Sequence, residues 1–282
     1  MIPRRLRLGM VGGGEGSFIG GVHRLAARID DQFELVAGAF SADAGRSQHA
    51  GTLLRLSPER VYDSYVQMAE RERARPDPID VVSVVTPNDT HFPICSTFLK
   101  QGFAVICDKP MTTTLTDART LAALVRERRL PFILAHTYSG YPMVREARAM
   151  VRSGALGAIR VVQVEYPQDW LATAIEKTGQ KQAAWRTDPA RSGPAGAVGD
   201  IGTHACHLAC YVTGLEVEAL CADLASVVPG RLLDDDAGML LRFRGGARGM
   251  LWCSQVAIGH ENGLRLRIFG ERAGLELSLI HI

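Results

Sequence analysis

A helix that spans a membrane needs about 20 consecutive apolar residues, and the chain contains no such run, so no membrane partner is expected. Charge of one sign is also lacking. Lys and Arg number 32 against 30 Asp and Glu, a formal net charge of +2, and the basic residues are scattered, so no basic patch points to nucleic acid. The six cysteines lack the spacing of a secreted disulfide framework, which predicts a reducing, cytoplasmic setting. Arg4-Arg5 could open an export signal, but the apolar run that follows, Leu6 to Val11, is cut off by glycines and reads as a first strand. His204, Cys206, His207 and Cys210 lie close together, with Cys206 and Cys210 on one helical face. No second Cys/His group completes a structural zinc site, so no metal is expected and the cysteines read as small core residues.

The chain has 282 residues, 46% of them apolar, which is comfortable for two domains. After Leu6–Val11 comes the loop Gly12-Gly13-Gly14-Glu15-Gly16-Ser17-Phe18-Ile19-Gly20, then a helix from about Gly21 to Ile29. Strand, glycine loop and helix in that order make a dinucleotide site. Glycines let backbone N–H groups approach a pyrophosphate, and the helix N-terminus favours its charge. The loop departs from G-x-G-x-x-G: with Gly12 and Gly14 as the first two glycines, Gly20 is the third, after an insertion. Gly16, Ser17, Phe18 and Ile19 are the further candidates there. The second strand, Phe33 to Phe40, ends at Ser41. Ser41 and Arg46 suit the 2′-phosphate of NADP, whereas Asp43 suits the ribose of NAD, and the residues leave both coenzymes open.

A helix is expected over Ser64–Arg75, and a Val-rich buried strand over Asp80–Thr86. Thr86-Pro87-Asn88-Asp89-Thr90-His91 follows at the carboxyl end of that strand, where open α/β sheets place ligands. A helix over His91–Lys100, a strand over Phe103–Cys107 ending in Asp108-Lys109-Pro110, a helix over Leu115–Arg128 and a strand over Pro131–Ala135 complete this half. The second half changes character, with a helix near Met143–Val151 and then long alternating strands. Those strands are read over Ile159–Glu165, Val217–Val228, Met239–Phe243, Gly249–Val256 and Leu264–Phe269. The expected division is a dinucleotide-binding domain over 1–135 and an α+β domain over 136–282. A long polar loop, Gln168 to Val198, carries Gln168-Asp169-Trp170 and Trp185-Arg186; long loops inside compact domains are usually functional.

Gly199-Asp200-Ile201-Gly202-Thr203-His204 opens an apolar helix that Gly214 stops. Asp200 and His204 are four residues apart and share a helical face. A carboxylate beside an imidazole is a general-base arrangement, since the acid orients the ring and favours its protonated form. The plainer reading is an Asp that caps a helix, followed by a surface His.

With these motifs in place, the chain resembles the glucose-fructose oxidoreductase / inositol dehydrogenase (Gfo/Idh/MocA) family over nearly its whole length. The carriers are the glycine loop, Thr86-Pro87-Asn88 with His91, Asp108-Lys109-Pro110 where the family usually has Glu-Lys-Pro, and Ser192-Gly193 leading to Asp200 and His204. The resemblance implies an α/β fold: an N-terminal Rossmann domain plus a C-terminal α+β domain with an open-faced, mostly antiparallel sheet for substrate and oligomerisation. It implies a sugar or polyol as substrate, NAD or NADP as coenzyme, and a homodimer or homotetramer at full length. Lys109, Asp200 and His204 would be the catalytic set. Thr86, Pro87, Asn88, His91, Asp108 and Lys109 would lie on the coenzyme, and Tyr138, Gln168, Asp169, Trp170, Trp185, Arg186 and His207 in the substrate pocket.

Two alternatives stay open at this point. Some relatives keep NAD bound and use transient oxidation to cleave a glycosidic or other bond, and a non-catalytic nucleotide-binding protein is the third reading. The last residues, Leu277-Ser278-Leu279-Ile280-His281-Ile282, match the translation of a transposase sequencing adapter, so a chain truncated within its sheet domain is expected.

Overall fold

The computed structural model describes residues 4–279, so Ile280, His281 and Ile282 of the adapter-like tail lie outside the described residues. By its contacts the chain forms two compact units, Met1–Ala135 and His136–Ile282.

The first unit alternates strand and helix: β1 (Leu6–Gly12), α1 (Phe18–Ile29), β2 (Phe33–Ala39), α2 (Ala44–Leu53), α3 (Tyr65–Ala74), β3 (Val81–Val85), α4 (His91–Lys100), β4 (Ala104–Cys107), α5 (Leu115–Arg128) and β5 (Phe132–Leu134). The sheet order is β2-β1-β3-β4-β5, with every pair parallel. Helices cover a parallel sheet on both faces, which is why β3 is rich in valine, broken only by Ser83, with all five residues buried. Phe98, Leu99, Val82, Val105 and Leu121 fill one side of it, and Met10, Phe40, Val61 and Val85 another part of the core.

Helix α1 begins three residues earlier than the pattern predicts, because the Ser17 hydroxyl caps it by accepting from Gly20 N at 3.4 Å. Gly20 then falls in the first turn, against Gly13. A Cβ on Gly20 would collide with the Gly13 backbone, so only glycine lets the helix sit this close to the loop.

The second unit holds α6 (Pro142–Arg152), β6 (Ile159–Pro167), α7 (Lys181–Arg186), α8 (Pro189–Ser192), α9 (Thr203–Thr213), β7 (Val217–Ala225), β8 (Asp236–Phe243), β9 (Arg248–Ser254), β10 (Arg265–Gly270) and β11 (Gly274–Ser278). The sheet order is β11-β10-β6-β9-β8-β7. Only β6 and β9 run parallel; the other neighbours are antiparallel. Period-two alternation gives this sheet two unlike faces. Val162, Val164, Leu241, Leu251, Leu266 and Ile268 point inward onto Ile201, Ala205, Leu208 and Val212 of the α9 segment and onto Val144 and Ala147 of α6. On the opposite face Leu240, Met250, Trp252 and Phe269 are exposed.

Several boundaries differ from the sequence reading for local reasons. The strand expected to reach Val228 stops at Ala225, because the Val227 and Val228 N–H groups turn to the buried Asp235 carboxylate at 2.7 and 3.0 Å. Strand β11 was not expected; Leu277 and Ser278, read as part of the adapter-like tail, pair with Leu266 and Arg265. The polar loop 168–198 contains α7 and α8, each capped by its own side chain, Gln180 and Asp188.

One buried ion pair pins the first unit. Glu72 is fully buried and accepts from Arg60 Nε and Nη2 at 3.0 and 2.6 Å, from the Tyr62 hydroxyl at 2.8 Å and from Ile79 N at 3.1 Å. These bonds tie α3 to the 60–62 stretch and to Ile79 just before β3. Breaking a buried pair leaves an uncompensated charge. Glu72→Gln is therefore expected to lower stability by about 3 kcal/mol, read as a lower urea midpoint; an unchanged midpoint would show that Arg60 is satisfied by Asp77 alone.

Candidate active site

In the first unit the candidate residues gather at the carboxyl edge of the parallel sheet. Gly12, Gly13 and Gly16 all take positive φ, 80°, 77° and 72°, a region that disfavours side chains. The loop after β3 and the end of β2 both come up against the glycine loop: a Cβ on Gly12 would lie 2.7 Å from Thr86 Cγ2, and one on Gly14 2.9 Å from the Phe40 carbonyl. Thr86 is held by Thr90, whose hydroxyl donates to it at 2.7 Å. Phe18 is exposed, whereas Ile19 packs against the Met10 and Phe40 part of the core. At the end of β2, Asp43 caps α2, accepting from Arg46 N at 2.7 Å, and Arg46 Nε lies 3.9 Å from the same carboxylate oxygen. Ser41 Oγ accepts from Asp43 N at 3.1 Å.

His91 is placed otherwise than expected. Its side chain is fully enclosed, with ring nitrogens 2.7 Å from the Pro110 carbonyl and 2.9 Å from the Thr86 carbonyl. It thus staples the loop after β3 to the loop after β4, and its enclosed ring presents no surface to a coenzyme. Lys109 and Asp108 are half-buried on that second loop, and the Lys109-Pro110 bond is cis. His23, which the sequence pattern did not single out, reaches Ser83 Oγ at 2.9 Å from α1. Burial pushes its pKa down, against the opposing pull of Asp108.

In the second unit the chain does not simply open a helix at Asp200. Val198–Gly202 is a single wide π-turn that runs into α9, a distortion often found where side chains are presented for function. The cap expected of Asp200 under the plainer reading falls to Asp234, whose carboxylate accepts from Gly196 N and Val198 N, both at 2.7 Å. Asp200 is left for other partners: Gln255 Nε2 donates to its Oδ2 at 2.9 Å, and Arg186 Nε stands 3.3 Å from the same oxygen.

His204 is 8% exposed and ringed by aromatic groups. The Tyr138 ring lies edge-on at 4.9 Å, His136 at 5.7 Å and Tyr166 at 6.3 Å between centroids. The two tyrosine hydroxyls share a short hydrogen bond, and Tyr166 donates onward to Asn262 Oδ1 at 2.6 Å. Burial raises the pKa of both phenols, with Asp200 adding to the rise, so both stay neutral. His207 stacks on His136, centroids 4.0 Å apart and rings 6° from parallel; burial and Arg148 lower its pKa.

Of the loop residues, Gln168 donates to Asn262 Oδ1 at 3.0 Å and accepts from Trp170 Nε1 at 3.1 Å. Asp169 accepts from Gly259 N at 3.2 Å. Trp185 is half-buried beneath the Arg186 guanidinium. Among the described residues no group of three or more His, Cys, Asp or Glu could hold a metal ion. Cys206 and Cys210 are free thiols, and a hydrogen bond between them lowers the Cys206 pKa to about 7. The sequence pattern missed His136, Tyr166, Asp234, Gln255 and Asn262. All but His136 lie on strands or turns far along the chain from the motif they support, and only His136, two residues before Tyr138, carried a local signal.

The chain is similar to known proteins in both sequence and fold. Residues 6–136 match the oxidoreductase family with an NAD-binding Rossmann fold, and residues 144–276 the Gfo/Idh/MocA C-terminal domain. An uncharacterized oxidoreductase of Bacillus subtilis is 37% identical over 98% of this chain and 71% of its own length. The levoglucosan dehydrogenase of Pseudarthrobacter phenanthrenivorans is 27% identical over 96% of this chain and 73% of its own. The crystal structure of an inositol dehydrogenase homolog from Azotobacter vinelandii, complexed with NADH and myo-inositol, superposes with a TM-score of 0.92 at 38% identity, covering 99% of this chain and 72% of that one. The chain belongs to the Gfo/Idh/MocA oxidoreductase family and is an NAD(P)-dependent dehydrogenase.

Proposed function

We propose that the protein transfers hydride between a nicotinamide coenzyme and a hydroxyl-bearing carbon of a sugar or polyol, with Lys109, Asp200 and His204 as its catalytic set. The observation that carries this reading is the setting of His204: a shielded imidazole, ringed by aromatic groups, four residues after a carboxylate that is fixed from behind. The names of the inositol and levoglucosan relatives support the substrate class.

A bound nicotinamide would supply the hydride acceptor for the carbinol carbon. Loss of hydride leaves that carbon electron-poor unless the hydroxyl proton also departs. His204 accepts this proton as general base, and Asp200 orients the ring and stabilises the imidazolium that forms. Lys109 offsets alkoxide charge as it develops. Tyr138, Gln168, Asp169, Trp170, Trp185 and His207 supply aromatic faces and hydroxyl partners of the kind that bind sugars. Lys109→Ala and His204→Ala should each lower turnover by at least ~100-fold, measured as NADH formation over a panel of polyols and sugars. Near-normal rates in either variant remove that residue from the mechanism. Steady NADH formation also separates this reading from bond cleavage through bound NAD.

Gly12, Gly14, Gly16, Ser17 and Thr86 to Asn88 form the proposed coenzyme cradle, and we infer NAD rather than NADP. The Asp43 carboxylate at the end of β2 opposes a 2′-phosphate, and exposed Arg46 shares its charge with that carboxylate. Fluorescence titration should show tighter NADH than NADPH, with Asp43→Ser narrowing or reversing the preference. Tighter NADPH in the unaltered chain would instead give Ser41 and Arg46 the phosphate role.

Self-association through the open sheet face belongs to the same reading, supported by the outward Leu240, Met250 and Trp252. Leu240→Lys should shift sedimentation toward the monomer. A chain that sediments as a monomer before any substitution would sink that part.

A further inference from the structure

Arg186 closes the last turn of α7 and is held on several sides. Its Nη1 donates to Gln182 Oε1 at 2.6 Å and to the Gln182 carbonyl at 3.3 Å. Its Cζ lies 4.2 Å over the Trp185 ring and 5.8 Å from that of Trp170. Its Nε meets Asp200 Oδ2 at 3.3 Å. The Nε–H is not aligned on that oxygen, so the contact is one of charge rather than a directed hydrogen bond. The second partner of Oδ2, Gln255, is 2% exposed and locked by its backbone: its N donates to the Asp235 carbonyl at 2.8 Å, and its carbonyl accepts from Leu171 N at 3.1 Å. One oxygen of Asp200 therefore rests against a fixed cation and a fixed neutral donor. An arginine stacked on one tryptophan and tied to its own helix is preorganised for that oxygen, not free to follow a ligand.

We propose that Arg186 is a positioning residue for Asp200: together with Gln255 it fixes one carboxylate oxygen and offsets part of its charge, and so sets how strongly Asp200 favours protonated His204. This rests on the reading of Asp200 and His204 as the acid–base pair, and it moves Arg186 from the substrate pocket, where the sequence pattern put it, to the back of the carboxylate. The rings packed around His204 within this unit are Tyr138, Tyr166 and His136, the last stacked on His207, and Asp200 lies four residues earlier on the π-turn that leads into the same helix. The tyrosines stay neutral through the working range, and burial with Arg148 holds His207 down. On this reading a charge removed at Arg186 reaches His204 through Asp200, whose Oδ2 it meets.

The test is a pH titration of the full chain with 13Cε1-labelled histidine, followed by NMR, with the His204 line assigned by its loss in His204→Gln. No substrate is needed. Arg186→Gln should raise the His204 midpoint by about one pH unit, the scale of one nearby charge removed. Arg186→Lys should restore it to within about 0.3 unit, as the charge is kept. Asp200→Asn should lower the midpoint, and Arg186→Gln added to it should produce less than half the shift it gives alone. Arg186→Met, which keeps packing on Trp185, answers the same question if the Gln variant does not fold. A midpoint unmoved by loss of the Arg186 charge, with Asp200→Asn still lowering it, overturns the inference and leaves the acid–base pair standing. A midpoint unmoved by Asp200→Asn overturns the pair itself.

Discussion

The Asp234 carboxylate decides where the helix that carries Asp200 and His204 begins. It takes the Gly196 and Val198 N–H groups, and its own carbonyl takes Ala197 N at 2.8 Å. Such N–H groups at a helix start have no partner within the helix and must find one outside. The approach is so close that a Cβ on Gly196 would collide with the Asp234 carbonyl. The helix start is thereby tied to the turn between β7 and β8. Its neighbours in sequence do different work: Asp235 gathers Val227 N, Val228 N and Arg231, and Asp236 accepts from Trp252 Nε1 at 3.1 Å. Three consecutive aspartates thus brace a helix, a turn and the open sheet face.

Both units hold a carboxylate away from water, and they treat it differently. Glu72 has donors from Arg60, Tyr62 and Ile79 and no exposure. A fully satisfied buried network rigidifies what it joins. Asp200 keeps 17% of its side chain exposed, and one of its oxygens meets Gln255 and Arg186. The first pattern suits a structural pin. The second suits a group whose charge must be fixed in place yet felt by a neighbour.

Much of the fold is legible in the sequence because periodicity and punctuation agree there. The Val-rich run at β3, the glycine loop after β1 and Gly214 at the end of α9, with φ 72°, are local signals that tertiary packing had no reason to override. Other positions are not legible. His91 stands beside Thr86-Pro87-Asn88 in sequence, and adjacency suggests a coenzyme contact. Its direction is set by the Pro110 carbonyl, which arrives from the next strand. Val227 and Val228 have every property of a strand, and the buried Asp235 turns them out of it.

The sequence by itself determined the family, the order of most strands and helices, and the kinds of side chain available for proton transfer. These depend on local pattern and composition, which a chain carries whether folded or not. Tertiary structure alone decided which groups surround Asp200 and His204. Tyr166 comes from β6, Gln255 from just beyond β9, and Asn262 from the turn before β10. Their distance from Asp200 and His204 is fixed by sheet register and by the Asp234 cap. Register and capping join residues far apart in the chain, and no window of sequence contains them.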